Sequence, residues 1–335
     1  MTRLFFILIP AMMTMAGCGQ AGTNGNGNGN ADPDRDSASD TGVTVPVFNA
    51  DSAYQYVARQ VEFGPRVPNS QAHREAGEWL AAKLGSFADT LYIQETRVRA
   101  YDGTNLNIKN IIGVFQPANP RRVLLCAHWD SRPYADYDPD PENHYTPIDG
   151  ANDGASGVGV LLEIARHLQQ KQPSVGVDII LFDAEDYGRH RLSDRPDEDS
   201  WALGAQHWAR NPHRADYFAR YGILLDMVGA SGATFKREGY SMLYAPGIVR
   251  KVWEVAGQLG YRNMFLNRDG SFITDDHYYV NTIRNIPTIN IIHQDQDTEH
   301  GFFPEWHTTD DTIDVIDPYT LKAVGETVMH VIYNE

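Results

Sequence analysis

The feature that most limits the fold of this chain is an alternation of short apolar runs with segments of helical period. Four apolar runs have the length and composition of buried strands: 122–127, 177–182, 221–225 and 286–292. Four segments that follow them have apolar residues at helical spacing: 156–170, 203–210, 248–259 and 318–333. This alternation predicts an α/β fold, in which one central, mostly parallel mixed sheet carries helices on both faces.

Four more elements are predicted ahead of the alternation. Segments 51–63 and 72–87 have helical spacing, and segments 92–98 and 107–114 have the composition of strands. Together with the later elements, they are expected to form one folded domain over residues 45–335.

The N-terminal residues differ in composition from the rest. An apolar run over 4–15, about a dozen residues, is too short to span a bilayer and leads through small residues to Cys18. This resembles a bacterial lipoprotein signal, which implies a signal peptide over 1–17 and lipidation of Cys18. Residues 19–41 are Gly, Asn, Asp and Ser with almost no apolar side chain, so we expect a flexible tether over 18–44. The alternative is a plain signal peptide with an incidental cysteine.

The charge of the chain limits its partners. The formal net charge is -16 and the pI is about 5.1. An acidic chain lacks the basic footprint of a nucleic-acid-binding protein, and it is not held electrostatically on anionic lipid. We therefore expect no nucleic-acid partner and membrane contact by the lipid anchor only. The expected location is outside the cytoplasm, on a membrane facing the periplasm or on the outer membrane.

Two acidic turns come directly after predicted strands or before predicted helices. Residues 149–157 are glycine-rich but lack the Lys-Ser/Thr pair of a phosphate-binding loop, and Asp153 on this turn is suited to hold a cation. The alternative is that Asp153 only caps a helix. Glu185 and Asp186 follow the strand 177–182; adjacent carboxylates are tolerable if one binds a metal and the other shares a proton. A solvated acidic turn is the alternative.

Two histidines have carboxylates close in sequence. His307 follows Trp306 and precedes a run of Asp, and His128 precedes Asp130 by two residues. A lone histidine is usually structural, but a nearby carboxylate can orient a metal-binding imidazole. Asp226 follows another strand. Histidine with carboxylates and no thiolate fits a catalytic zinc site, which keeps one position open. In an open α/β sheet, such side chains are expected at the carboxyl ends of the strands.

At these residues the chain resembles the zinc aminopeptidase family and, within it, the glutaminyl cyclases. The resemblance covers the chain from about residue 63 to the C-terminus. It is carried by segments that occur in one order: 127–131 (Ala-His-Trp-Asp-Ser), 150–157 (Gly-Ala-Asn-Asp-Gly-Ala-Ser-Gly), 181–186 (Leu-Phe-Asp-Ala-Glu-Asp), 225–229 (Leu-Asp-Met-Val-Gly), 275–277 (Asp-Asp-His) and 306–308 (Trp-His-Thr).

The resemblance implies roles for the candidate residues. Asp153, Asp186 and His307 would bind the principal zinc ion, and Glu185 would be the catalytic proton shuttle. Trp306 would form a wall of the substrate pocket.

The number of zinc ions stays open. In the aminopeptidases, residues matching His128 and Asp226 bind a second zinc ion, with Asp153 as the bridge. In the cyclases similar residues are kept although one zinc ion is enough. There, Asp226 and Asp275 would belong to a catalytic hydrogen-bonded network beside Glu185.

Two features favour the cyclase branch, and three departures concern its details. The segments 275–277 and 304–311 resemble the cyclase segments. Asp186 stands where glutamate is common in both groups, so a shorter ligand must come closer or bind differently. Asn290 stands where the animal cyclases have histidine. The charged stretch 189–200 has no pocket tryptophan, although Trp201, a candidate substrate-binding residue, follows it.

Three functions are therefore weighed. The first is a zinc-dependent glutaminyl-peptide cyclotransferase that converts the N-terminal Gln of peptides or proteins to pyroglutamate and releases ammonia. The second is a two-zinc aminopeptidase that hydrolyses N-terminal residues. The third is a non-catalytic peptide-binding lipoprotein, which the complete set of ligands and Glu185 disfavour.

Overall fold

The computed structural model of the chain describes residues 44–195 and 199–335. The expected signal peptide, Cys18 and the expected tether up to residue 43 lie outside these residues. No helix within the described ranges is long and apolar enough to cross a membrane.

A mixed six-stranded sheet runs through the described part of the chain. In chain order the strands are β1 (Thr90–Arg99), β2 (Asn105–Phe115), β3 (Arg122–His128), β4 (Gly176–Phe182), β5 (Gly222–Asp226), β6 (Phe235–Arg237), β7 (Phe265–Asp269) and β8 (Thr288–Ile292). The sheet order is β1-β2-β4-β3-β5-β8, and β6 pairs with β7 in a separate small sheet. Strands β4, β3, β5 and β8 are parallel, whereas β2 is antiparallel to both β1 and β4. The α/β fold with a mostly parallel mixed sheet is confirmed.

Helices cover both faces of this sheet. They are α1 (Ala50–Val61), α2 (Gln71–Gly85), α3 (Ala155–Gln170), α4 (Leu203–Arg210), α5 (Gly239–Tyr244), α6 (Pro246–Gln258), α7 (Asp276–Tyr279) and α8 (Pro318–Tyr333). Successive side chains of a strand point to opposite faces. Accordingly Leu125 and Ala127 pack with α1, α2, α3, α6 and α8, whereas Leu124 and Cys126 pack with α4 and α7. Both faces of β3 are therefore closed to water.

Helix α3 packs directly against the end of β5. A Cβ atom at Gly157 would lie 2.2 Å from the backbone oxygen of Leu225, so a larger residue would push the helix away from the strand. This close approach brings the turn before α3, with Asp153, next to Asp226 at the end of β5.

Some elements were not predicted from the sequence. Strands β6 and β7 and the short helices α5 and α7 lack a sustained apolar period; β7, for example, is exposed over most of its length. The strand predicted over 286–292 begins two residues later, because Pro287 has no N–H to donate to a neighbouring strand.

Candidate metal centre and catalytic pocket

The candidate residues come from five separate segments that meet at one edge of the sheet. His128 is the last residue of β3 and Asp226 is the last residue of β5. Glu185 and Asp186 lie in the turn after β4, Asp153 precedes α3, and His307 comes from the long connection between β8 and α8. The carboxyl ends of these parallel strands thus bring together side chains that are far apart in sequence.

Asp153, Asp186 and His307 form the first potential ligand group. Nε2 of His307 lies 3.2 Å from Oδ1 of Asp186 and 3.6 Å from Oδ2 of Asp153. All three residues are buried, and one ligand atom from each lies within 4.8 Å of the others. The side chain of Asp153 does not cap α3, because the residue before the helix is Gly154 and no side-chain cap hydrogen bond is formed.

His128, Asp153 and Asp226 form the second group. Nε2 of His128 lies 3.0 Å from Oδ1 of Asp153 and 3.2 Å from Oδ1 of Asp226. The two oxygens of Asp153 thus face different groups. The imidazole of His128 packs under Gly154, where a Cβ atom would lie 2.3 Å from Nε2. Only glycine fits there without moving the histidine.

The chemistry of these side chains fits zinc. Imidazole nitrogen and carboxylate oxygen are zinc ligands, and three protein ligands with an open position are typical of catalytic sites. Oδ2 of Asp186 is buried and has no hydrogen-bond partner in the described chain. A buried carboxylate oxygen without a partner is costly, and a cation would satisfy it.

Buried groups outside the two clusters hold the loop with Asp153. The Asp311 carboxylate accepts hydrogen bonds from the backbone N–H groups of Asn152 (2.8 Å) and Asp153 (3.1 Å). The guanidinium of Arg66, which is fully buried, donates to three backbone oxygens: those of Trp129 (3.0 Å), Asp149 (2.7 Å) and Gly150 (2.9 Å). Arg66 therefore connects the end of β3 to the loop that leads into α3.

An arginine–aspartate pair supports His307 and Asp186. Arg132 donates two hydrogen bonds of 2.7 Å to Asp136, and its Nη1 lies 3.4 Å from Oδ1 of Asp186. The second ring nitrogen of His307, Nδ1, lies 3.5 Å from Oδ1 of Asp136. The guanidinium of Arg132 also stacks on Trp201, 4.8 Å from the ring centre. A carboxylate on the far nitrogen is the arrangement that orients a metal-binding histidine.

A cavity of about 230 Å³ opens onto the first ligand group. Trp306 stacks on His307 with 3.5 Å between ring centres, and Trp201 lies parallel to the same imidazole at 6.1 Å. The cavity is lined by both tryptophans, by the first ligand group, by Glu185, Asp226 and Asp275, and by the apolar residues Met227, Phe272, Ile273, Ile292 and Phe302. His128 is fully buried and is not part of this lining.

Besides Asp186 of the first ligand group, three carboxylates in this cavity have raised pKa values. Burial, followed by the charge of Asp275, raises the pKa of Glu185 well above its usual value. Burial, followed by the charge of Asp153, raises the pKa of Asp226 to about 8. Burial also raises the pKa of Asp275, whose Oδ2 accepts a hydrogen bond of 2.6 Å from Asn290. These carboxylates are suited to hold protons near neutral pH.

Sequence reasoning named the carboxylates, His307 and the two tryptophans that face the cavity, and missed its apolar lining and the residues that hold the ligands in place. Arg66, Arg132, Asp136 and Asp311 have no local pattern that marks them, since each acts on a segment distant in sequence or through a buried pair. For Arg66, an arginine directly after a Gly-Pro turn is a weak signal. The predicted residues Asp275 and Asn290 do lie together, although only the first was expected in the site.

Several known proteins are similar to this chain in sequence and in fold. Residues 110–332 match Peptidase family M28. The chain is similar to a Zn-dependent exopeptidase of Parabacteroides distasonis, with 57% identity, a TM-score of 0.86, and coverage of 87% of this chain and 100% of that one. It is also similar to the glutaminyl cyclase of Bacteroides thetaiotaomicron, solved with N-acetylhistamine, with 53% identity, a TM-score of 0.86 and coverage of 87% of this chain and 100% of that one.

Another relative is named as an aminopeptidase. An aminopeptidase of Bacillus subtilis is 30% identical over 241 residues, which are 69% of this chain and 45% of the aminopeptidase. The chain thus spans less than half the length of that relative. Relatives of this chain therefore include both cyclases and exopeptidases.

Proposed function

Because the chain belongs to peptidase family M28, we propose that it is a zinc-dependent glutaminyl-peptide cyclotransferase, which converts N-terminal Gln of peptides to pyroglutamate and releases ammonia. The observation that carries the proposal is the 53% identity to a glutaminyl cyclase that the chain covers completely. The candidate proton shuttle Glu185 lies in the same cavity as the first ligand group, as this reaction requires.

Asp153, Asp186 and His307 would hold the zinc ion. When bound, zinc supplies a Lewis acid that polarises the side-chain amide carbonyl of the substrate Gln. The first ligand group faces the cavity, whereas His128 of the second lies beneath it. This difference favours one zinc ion at the first group, and we propose that His128 and Asp226 serve mainly to position Asp153.

Glu185 moves the proton. The α-amine nitrogen of the substrate attacks the carbon of its own side-chain amide, which closes a five-membered ring; holding both groups in one cavity favours this step. A carboxylate oxygen of Glu185 takes the proton that the amine loses. It returns this proton to the amide nitrogen, which leaves as ammonia when the carbon–nitrogen bond breaks. A raised pKa suits Glu185 to act in both directions.

The remaining lining would select a single, N-terminal residue. A cavity of about 230 Å³ bounded by Trp201 and Trp306 accommodates one side chain rather than a folded segment. The side-chain oxygens of Asp226 and Asp275 in this lining can accept hydrogen bonds from the amino group at the N-terminus of a peptide.

The second candidate function is a two-zinc aminopeptidase. The observation that favours it is the sharing of Asp153, whose two oxygens face the two ligand groups. In that reaction Glu185 would take a proton from water, and the peptide bond after the first residue would break. The same side chains are used, so the substrate test must separate the two functions.

Mass spectrometry on the zinc-loaded domain over 45–335 tests the proposal. A peptide that begins with Gln and a matched peptide that begins with Leu are incubated separately. Loss of ammonia from the first, with the second intact, supports the cyclotransferase. Stepwise removal of Leu makes the chain an aminopeptidase, and the absence of any change with zinc bound favours a binding role.

The proposal extends to the location of the protein. The composition of residues 1–44 supports export and attachment to a membrane through a lipid on Cys18. Incorporation of labelled palmitate into the full chain, lost in the variant Cys18→Ala, is the expected result. Palmitate incorporation that persists in that variant would contradict the proposed anchor.

A further inference from the structure

A buried histidine and aspartate face each other behind the turn that carries Glu185. Nε2 of His73, in α2, lies 2.9 Å from both carboxylate oxygens of Asp183, and the side chains are 5% and 0% exposed. The His73 ring stacks on Trp129, with 4.4 Å between ring centres and 16° between planes. Neither His73 nor Asp183 lines the catalytic cavity. The pair therefore affects the site indirectly, through the turn that carries Glu185.

The turn after Asp183 is held by two carboxylates. Asp183 accepts a hydrogen bond of 2.7 Å from the backbone N–H of Ala184. Asp130 accepts from the backbone N–H groups of Glu185 (3.0 Å) and Asp186 (3.1 Å). Three consecutive N–H groups thus end on carboxylates, and these fix the direction in which the side chains of Glu185 and Asp186 leave the backbone.

The turn needs this support because its backbone is strained. Ala184 has a φ of +52°, in the left-handed region that costs a residue with a Cβ atom about 1 kcal/mol or more. Such a conformation persists only where the surroundings enforce it. Asp183 supplies part of this support. Its second oxygen also accepts a hydrogen bond of 2.6 Å from the backbone N–H of Lys109 in β2.

We propose that His73 is a positioning residue, which holds Asp183 in the orientation that fixes Glu185 and Asp186. Asp183 is fully buried, and His73 provides its partner from a side chain. Without His73, a buried carboxylate would lose that partner and turn toward other donors. The inference rests on the proposed function only for the role of Glu185, because Asp186 sits on the same turn in either reaction.

The buried His73 also borders a groove at the surface. His73 and Trp129 line a groove of about 590 Å³ between α2 and the β1–β2 pair. The groove shares no lining residue with the catalytic cavity.

The variants His73→Ala and His73→Gln test the proposal, with His167→Ala as matched control. His167 forms a buried pair with Glu163 at the same 2.9 Å, with side-chain exposures of 7% and 0%, but it lies in α3 away from the turn. The readouts are kcat and KM for the reaction that the wild type performs, zinc affinity by competition with a chelator, and the unfolding temperature.

We expect His73→Ala to lower kcat by about 10- to 100-fold with a small change in KM, as misplacement of a catalytic group by about 1 Å does. Zinc affinity should fall as well, since Asp186 is a ligand on the same turn. His73→Gln can still donate to Asp183 and should recover most of both losses. His167→Ala should lower the unfolding temperature by a similar amount and leave kcat and zinc affinity unchanged.

Two results would overturn the proposal: unchanged kcat and zinc affinity in a folded His73→Ala variant, or equal losses in His167→Ala. If His73→Ala does not fold, Asp183→Asn keeps the volume of the side chain and should show the same two losses. Zinc affinity is measured without substrate, so it tests the positioning role even if the wild type neither cyclises nor cleaves a peptide.

Discussion

Glu185 is surrounded by more negative charge than an exposed carboxylate meets. Asp275, Asp276 and Asp186 all raise its pKa, in addition to burial, and His128 opposes them. Its backbone N–H is bound by Asp130. The residue is therefore fixed in place and is able to carry a proton, which are the two requirements for a group that takes a proton and gives it back.

The variant Glu185→Gln removes the proposed proton carrier and keeps the size of the side chain. We expect turnover to fall by about 10²- to 10⁴-fold, the usual worth of a general base. Zinc content, measured by elemental analysis, should not change, because Glu185 belongs to neither ligand group. Activity close to wild type in a zinc-loaded variant would show that another group moves the proton.

The variant His128→Ala separates the two reactions. A two-zinc aminopeptidase should lose its activity, since the second ligand group loses its nitrogen ligand. A one-zinc cyclase should lose only about tenfold, as expected for a residue that positions a ligand. The control is His307→Ala, which should abolish either activity. Zinc stoichiometry measured on both variants shows whether the surviving enzyme holds one ion.

At the scale of elements, Glu238 connects α5 to the loop over 272–275, which lines one side of the cavity. Glu238 caps α5 by accepting from the backbone N–H groups of Tyr240 (2.8 Å) and Ser241 (2.7 Å). The same carboxylate accepts a hydrogen bond of 3.0 Å from the backbone N–H of Ile273, and it forms an ion pair with His277 at 2.9 Å. One side chain therefore joins a helix start to the loop that lines the cavity and to α7.

The Glu238 carboxylate predicts acid sensitivity. Burial opposes the charged form, but the hydrogen bonds from His277 and Ser241 outweigh it and lower the pKa to about 2. A pKa below the unfolded value of about 4.3 means that the folded chain binds the proton less readily. The stabilisation is present above pH 4.3 and is lost as the pH falls toward 2.

Urea unfolding at a series of pH values from 5 to about 2.5 measures this loss. The variant Glu238→Gln should be less stable at pH 5, and its stability should fall less steeply with acid than that of the wild type. Glu254→Gln, at an exposed position of α6, is the control and should follow the wild type. If the free energy of unfolding falls with pH in parallel for Glu238→Gln and the wild type, Glu238 is not the source of the acid sensitivity.

The elements were predictable to the extent that their signals are local. The predicted helices 203–210 and 318–333 have the bounds of α4 and α8, and for α8 a proline at the first turn after Asp317 marks the start. The hydrogen bonds that hold the turn with Glu185 and Asp186 were not predictable. His73 and Asp183 are 110 residues apart, and only the folded sheet brings them together.

At the scale of the whole molecule, the ligand groups join five segments of the sheet edge. Burial and the charges of neighbouring carboxylates raise the pKa values of Asp186, Asp226 and Glu185, so these side chains repel one another when they are ionised. A bound cation would remove much of this repulsion. We therefore expect the folded state to depend on metal more than on any surface ion pair.

Thermal unfolding with and without metal measures this dependence. Zinc at about 1,000 times its Kd should add about 4 kcal/mol to the free energy of unfolding, and a chelator should reverse the gain. The variant Asp153→Asn, which weakens both ligand groups, should lose most of the zinc response. A full zinc response in that variant would place the stabilising ion elsewhere.

The groove beside His73 gives a second way to inhibit the enzyme. A compound that fills the groove and draws the imidazole away from Asp183 would disturb the turn with Glu185 and Asp186. It would do so without contacting zinc or the substrate cavity. Its inhibition would be non-competitive with peptide and would be accompanied by weaker zinc binding, because Asp186 lies on the same turn. Because the groove is lined by side chains of α2, β1 and β2 rather than by metal ligands, such a compound need not act on other zinc peptidases.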